Sequence, residues 1–210
     1  MTFDISKLLG AVTREVRNAE RGGKPAKIVV ASRVYDTTLD DLWDAITKAE
    51  RIARWLAPIS GELKLGGQYQ IQGNAGGTIT RCEPPRELEV TWEFGGGVSW
   101  VEASLSEHQG GALLEVRHIA HPEAHWDQFG AGAVGVGWEL MLAGLDAHLK
   151  DPTGPHTLEA DPTWAASDEA KRFMKASGDG WGEAEIAGGA DPESALARAE
   201  RTKKFYCGET

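Results

Sequence analysis

Between residues 60 and 120 the chain alternates apolar and polar residues and breaks the alternation at glycines, which constrains the fold more than any other feature. Leu88, Val90, Trp92 and Phe94 alternate with Glu87, Glu89, Thr91 and Glu93. A period of two puts these sets on opposite sides of a strand, one dry and one wet. Gly66-Gly67 precede a Tyr69/Ile71 alternation, Gly73 to Gly77 make a turn, and a further strand over Thr78 to Cys82 is stopped by Pro84-Pro85. Gly95-Gly96-Gly97 reverse the chain into Val101, Ala103 and Leu105, and Gly110-Gly111 turn it again into Leu114, Val116 and His118. Short strands with one apolar side each, joined by tight turns, describe an antiparallel meander with one side on a core.

The flanks supply the other elements. Lys27 to Tyr35 reads as a strand, and Thr37 or Thr38 can cap a helix lined by Leu39, Leu42, Trp43 and Ile46, Thr38 with Asp41 three residues later resembling a capping box. A second short helix runs through Arg51, Ile52 and Trp55 and cannot continue past Pro58. Val134, Trp138, Leu142, Leu145 and Leu149 recur every three or four residues, predicting a long helix ended by Asp151-Pro152. The fold class is therefore α+β: a curved antiparallel sheet of about six to seven strands, wrapped around the long helix, with two short helices after the first strand. Ile5, Leu8, Leu9, Val12 and Val16 predict an N-terminal amphipathic helix, and Arg21 to Pro25 a linker. Asp161-Pro162, Ser167-Asp168 and Asp191-Pro192 look like helix starts. Residues 1–25 are thus expected to form a helix and linker, 26–152 the sheet domain and 153–210 a helical extension.

Charge narrows the partners. Thirty-two acidic side chains against 22 basic ones leave a net charge of −10, which repels phosphate backbones and anionic headgroups, so neither nucleic acid nor a membrane is expected. The first residues lack the basic start and apolar stretch of a secretory signal, and Cys82 and Cys207 belong to no metal-ligand spacing. Reduced thiols and a cytoplasmic location follow as expectations.

Several pieces, in this order and spacing, resemble a known family: Arg54-Trp55 with Pro58, Gly66-Gly67-Gln68-Tyr69, Gly77 leading to Pro84-Pro85, Arg86 to Trp92, Gly111 to His118, and Gly137-Trp138 with Leu142 and Leu145. Residues 26 to 150 are similar to the START-related SRPBCC superfamily, and within it to the activator of heat-shock protein 90 ATPase family. The resemblance implies the helix-grip fold of the Bet v 1 allergens, in which sheet and helix enclose an apolar cavity. It also implies relatives that act as cyclases or hydratases, and a partner-binding role as a chaperone accessory.

The candidate site is read on the same parity. His118 shares a side with Leu114 and Val116, so it points inward, where it can contact a ligand, act as a base, or simply sit paired at the edge of the core. Trp55, Tyr69, Trp92, Val101, Trp138 and Leu142 could line an apolar space around it, with Trp43 nearby; each could equally fill the core. Gly130, Gly132, Gly135 and Gly137 open the long helix either to close packing against the sheet or to a ligand. His118, His121, His125 and Asp127 suggest metal ligands, but Pro122 breaks the helix that would align them, so no metal and no other cofactor is expected. No nucleophile elbow, zinc-protease motif or phosphate loop is present. The sequence thus favours a binder of a small apolar molecule over an enzyme or a chaperone accessory, with homodimerisation through residues 153–210 as a further expectation.

Overall fold

The computed structural model describes residues 10–153 and 162–209. Strands β1 (Val12–Arg21) and β2 (Lys24–Tyr35) are followed by helices α1 (Leu39–Thr47) and α2 (Ala49–Trp55). Six strands come next: β3 (Ile59–Gly61), β4 (Gln68–Ile71), β5 (Gly76–Glu83), β6 (Glu87–Phe94), β7 (Gly97–His108) and β8 (Gly111–Ala120). Helices α3 (Ala124–Phe129), α4 (Gly132–Lys150), α5 (Pro162–Ala165), α6 (Asp168–Ala187) and α7 (Pro192–Cys207) complete the chain. The eight strands form one sheet in the order β1-β2-β8-β7-β6-β5-β4-β3, with antiparallel pairing from β3 through β7. This is the expected helix-grip class with slightly more strands than the sequence pattern gave.

The largest correction is at the N-terminus. Val12 to Arg21 form a strand, not a helix. Their i, i+4 valines also fit a period of two, with Val12, Arg14 and Val16 on one side. The helical spacing of Ile5, Leu8 and Leu9 carries on into these valines in the sequence, whereas the structure alternates them with exposed side chains and gives Arg14 a carboxylate partner, Glu139. The expected linker is a tight hairpin turn. Gly22 and Gly23 have φ of 60° and 74°, the pair of positive values that a two-residue type I′ turn needs. Ile5, Leu8 and Leu9 of the expected helix lie outside the described residues.

Two compact units make up the chain, and neither is a continuous segment. The first takes Met1–Ala31, Ile119–Leu140 and Glu159–Thr210; the second takes Ser32–His118 and Met141–Leu158. The N-terminal hairpin arm and the helical extension therefore fall in one unit, rather than forming separate ends on either side of 26–152.

In the first unit, α6 packs on β1, and α7 packs on α6 and α3. Ser167 caps α6 by accepting from the Ala170 amide, and Asp191 caps α7 by accepting from Ser194, as the sequence predicted for both; Asp161 lies outside the described residues. The glycine series of α4 belongs to this packing. A Cβ on Gly135 would collide with the buried Trp181 ring, and one on Gly132 would approach the Thr202 methyl at 2.8 Å. These glycines let the C-terminal helices close on α4, a partner the sequence reading did not consider.

In the second unit, Thr38 caps α1 by accepting from the Asp41 amide at 3.2 Å. Arg51 of α2 reaches back to Asp41 at 2.7 Å and donates from Nε to His148 of α4 at 3.2 Å. On β2, Tyr35 donates to the Leu142 carbonyl at 3.1 Å and Arg33 pairs with Asp146 at 2.9 Å. The second half of α4 is thus held by named polar contacts to β2 and α2.

Candidate functional site

The site is built on the inward side of β4 to β8 in the second unit. Register decides which side chains share it. Directly opposed residues of an antiparallel pair lie on the same side; Trp92 opposes Ser99 and Val90 opposes Val101 across β6 and β7, and Ile79 opposes Val90 across β5 and β6. Tyr69, Ile71 and Ile79 form a buried cluster, against which Leu56, Ile59, Leu63, Leu88, Val90 and Trp92 pack while staying half-buried. The apolar surface is therefore not fully covered within its own unit.

His118 sits beside this cluster. On β8, residues Ala112, Leu114, Val116 and His118 are buried and alternate with half-buried Leu113, Glu115 and Arg117, the parity read from the sequence; beyond His118, Ile119 is buried as well. His118 is only 6% exposed, its Nε2 lies 2.9 Å from Ser99 Oγ, and its ring meets Trp92 edge-on at 6.2 Å. Ser99 has a single hydroxyl proton and donates it to the Trp92 carbonyl at 3.1 Å. Burial pulls the imidazole's pKa down to about 4, so the ring is neutral near pH 7.

An activated serine gives its proton to a neighbouring imidazole, and a buried ring with its pKa pulled down to about 4 is a weak base for that proton. The Tyr69 hydroxyl donates to the Thr91 carbonyl at 2.8 Å, and burial raises its pKa.

The other sequence-predicted residues are placed as follows. Val101 is buried opposite Val90. Leu142 is buried and accepts from Tyr35. Trp55 is half-buried and donates from Nε1 to the Ala45 carbonyl at 2.9 Å, tying α2 to α1 instead of joining the Tyr69 cluster. Trp43 is buried on α1. Trp138 lies on the part of α4 that belongs to the first unit. Phe94, expected on the dry side, is 62% exposed because it ends β6 at the hairpin turn.

The histidine series does not converge. His121 Nδ1 lies 2.8 Å from the Pro25 carbonyl, and His125 packs on Phe129 at 5.0 Å. Among the described residues no group of three or more His, Cys, Asp or Glu is placed to share a metal ion. Cys82 and Cys207 are free thiols, and no described helix is long and apolar enough to cross a membrane. A solvent-open depression of about 650 Å³ between the β2–α1 loop and the β7–β8 hairpin includes none of the predicted residues.

Sequence reasoning missed Ser99. The signal was present: Gly95-Gly96 close the hairpin, so counting back from the turn sets Trp92 against Ser99. Three buried charged residues were missed as well: Arg33, Glu139 and Glu185. Arg33 and Glu139 pair with distant residues, Asp146 and Arg14, while Glu185 pairs with Arg198, 13 residues on, and with the Ala131 amide.

Comparison with known proteins now decides the family. The model for Activator of Hsp90 ATPase homolog 1-like protein matches residues 36–150, more than half of the chain. The chain belongs to this family. CalU16 from Micromonospora echinospora is similar too: its crystal structure is 32% identical, with a TM-score of 0.68 over 83% of this chain and 98% of that one. The solution structure of CalU16 gives 32% and 0.68 over 85% and 97%. This likeness spans more of the chain than residues 36–150, so it takes in part of the flanking segments. The Aha1 dimer from Colwellia psychrerythraea is 12% identical, with a TM-score of 0.52 over 60% of this chain and 98% of that one, and shares the fold alone. No curated protein matches the chain significantly.

Proposed function

We propose that this member of the family binds a small hydrophobic molecule on the inward side of β4 to β8, against Tyr69 and Trp92 with Ser99 and His118 at one end. The observation that carries the reading is the half-buried ring of apolar side chains around Tyr69, Ile71 and Ile79, bordered by a polar pair that carries no charge. Such a surface gains about 25 cal/mol for each Å² that a ligand removes from water. A few fixed polar groups in apolar walls are the usual composition of a small-molecule site. A cyclase- or hydratase-like activity has less support, because the one histidine on this surface is buried and a weak base.

The test uses N-phenyl-1-naphthylamine, a neutral probe whose fluorescence rises in apolar surroundings. The full chain is expected to bind it saturably at one site, and Trp92→Ala to weaken binding about ten-fold, on the scale of a lost aromatic contact. Absence of saturable binding, or equal binding by Trp92→Ala and Tyr69→Ala, overturns the proposal.

A further inference from the structure

A bulge in β5 carries the apolar surface further along the sheet than Tyr69 and Trp92. Ile79 opposes Val90 and Cys82 opposes Leu88, so three steps along β5 match two along β6, with the irregularity between Ile79 and Arg81. Strict alternation from Ile79 would turn Arg81 inward and Cys82 outward; the bulge reverses both. Arg81 instead meets Glu83, Glu87 and Glu89, and Cys82 packs against the Tyr69, Ile71 and Ile79 cluster. Leu88 opposes Ala103 of β7, so Cys82, Leu88 and Ala103 form one row across three strands on the inward side. All three are half-buried. The adjoining row is Ile79, Val90 and Val101, of which Ile79 and Val101 are buried. Beyond it Trp92 opposes Ser99, which meets His118. From Trp92 to Leu88 is four residues, about 13 Å at ~3.3 Å per residue.

We infer that the row Cys82–Leu88–Ala103 is a second subsite, which receives the apolar tail of a ligand seated at Trp92 and so selects an elongated neutral molecule over a compact one. This rests on the proposed binding role. The row is continuous with that site: every residue opposed between it and Trp92 on β5, β6 and β7 is apolar. Cys82 and Ala103 are shorter than Ile79 and Val101 and, unlike them, stay partly open to solvent. A tail laid on them gains about four-fold in affinity for each methylene taken fully out of water, whereas a ligand that ends at Val90 leaves the row wet. Cys82 serves here as a short apolar wall, with no covalent step. The bulge is what makes the subsite, because without it the Arg81 guanidinium would occupy this side of β5.

Displacement of N-phenyl-1-naphthylamine from the full chain by 4-ethylphenol and by 4-hexylphenol tests this. The hexyl compound is expected to bind at least about ten-fold more tightly, well inside the limit set by four added methylenes. That ratio is expected to fall about three-fold in Cys82→Leu and in Ala103→Ile, which fill part of the row. Because the ratio is taken within each variant, a general loss of packing does not move it. A second readout leaves the row unaltered: in Cys207→Ser, 4-hexylphenol at about ten times its Kd is expected to slow alkylation of Cys82 by iodoacetamide about ten-fold. At the same occupancy 4-ethylphenol is expected to protect far less. Equal affinity of the two phenols, an unchanged ratio in both row variants, undiminished alkylation of Cys82, or equal protection by 4-ethylphenol overturns the inference and leaves the ligand-binding reading standing. Failure of N-phenyl-1-naphthylamine and both phenols to bind overturns both.

Discussion

The interior of the first unit and the inward side of β4 to β8 in the second treat buried polar groups in opposite ways. In the first unit the deeply buried carboxylates are charged and fully held. Glu139, 1% exposed, accepts a two-pronged bond from Arg14 at 2.7 Å and a third from Ser177 at 2.9 Å. Glu185, 3% exposed, accepts from Arg198 at 2.8 Å and from the Ala131 amide. On the inward side of β4 to β8 in the second unit, the buried titratable groups are His118 and Tyr69, and both are neutral. Closed ion pairs make an interior rigid and specific in its partners, whereas neutral groups bordered by half-buried apolar side chains leave a surface that a guest can still cover. The difference teaches where adaptation is built in.

The largest effect that could break this contrast is Arg14→Met. It leaves Glu139 buried without its main partner and is expected to destabilise the chain by about 3–5 kcal/mol in urea unfolding. A loss under about 1 kcal/mol would mean that the first unit is not locked by its ion pairs. Next comes the pH dependence of the second unit. Unfolded histidine takes up its proton near pH 6.5 and folded His118 only near pH 4, so the unfolded chain binds more protons between those values. The stability given by neutral His118 is therefore complete above pH 6.5 and lost as pH falls towards 4, by at most on the order of 3 kcal/mol. Unfolding free energies measured from pH 4 to 7 are expected to fall more steeply towards acid in the native chain than in His118→Gln. Parallel curves would show that His118 is not the neutral buried group described.

A smaller effect has an informative sign. Gly135→Ala gains ~1 kcal/mol of helix propensity but forces a methyl into Trp181, at an overpacking cost of about 1–3 kcal/mol. The result is a net loss of thermal stability. Gly137→Ala meets only the Tyr206 hydroxyl, at 3.4 Å, and is expected to be neutral or stabilising. Smallest are the caps, one in each unit: Ser167→Ala and Thr38→Ala should each cost about 1 kcal/mol. Equal losses would place the contrast between the units in their interiors and not in their local helix chemistry.

Much of this was legible in the sequence because it is local. Parity put His118 inward, glycines set the turns after β4, β6 and β7 and Pro84-Pro85 the turn after β5, and Thr38, Ser167 and Asp191 marked helix starts. What was not legible depends on distant partners. Val12 and Val16 fit both a helical and an alternating period, and the partner of Arg14 between them, Glu139, lies 125 residues away. The α4 glycines look like room for a ligand until Trp181 and Thr202 are seen against them. Ser99 stands between these cases: the turn sets its register against Trp92, but only the geometry shows that it meets His118.

The account's central claim is that a small apolar molecule settles on the Tyr69–Trp92–Ser99 surface. Backbone and indole NMR spectra of the labelled full chain, recorded while 2-naphthol is added, test it most directly. The account predicts saturable shifts concentrated at Tyr69, Trp92, Ser99 and His118, with the Trp181 indole and the helices around it unchanged. Shifts confined to the first unit, or none at saturating naphthol, would contradict it.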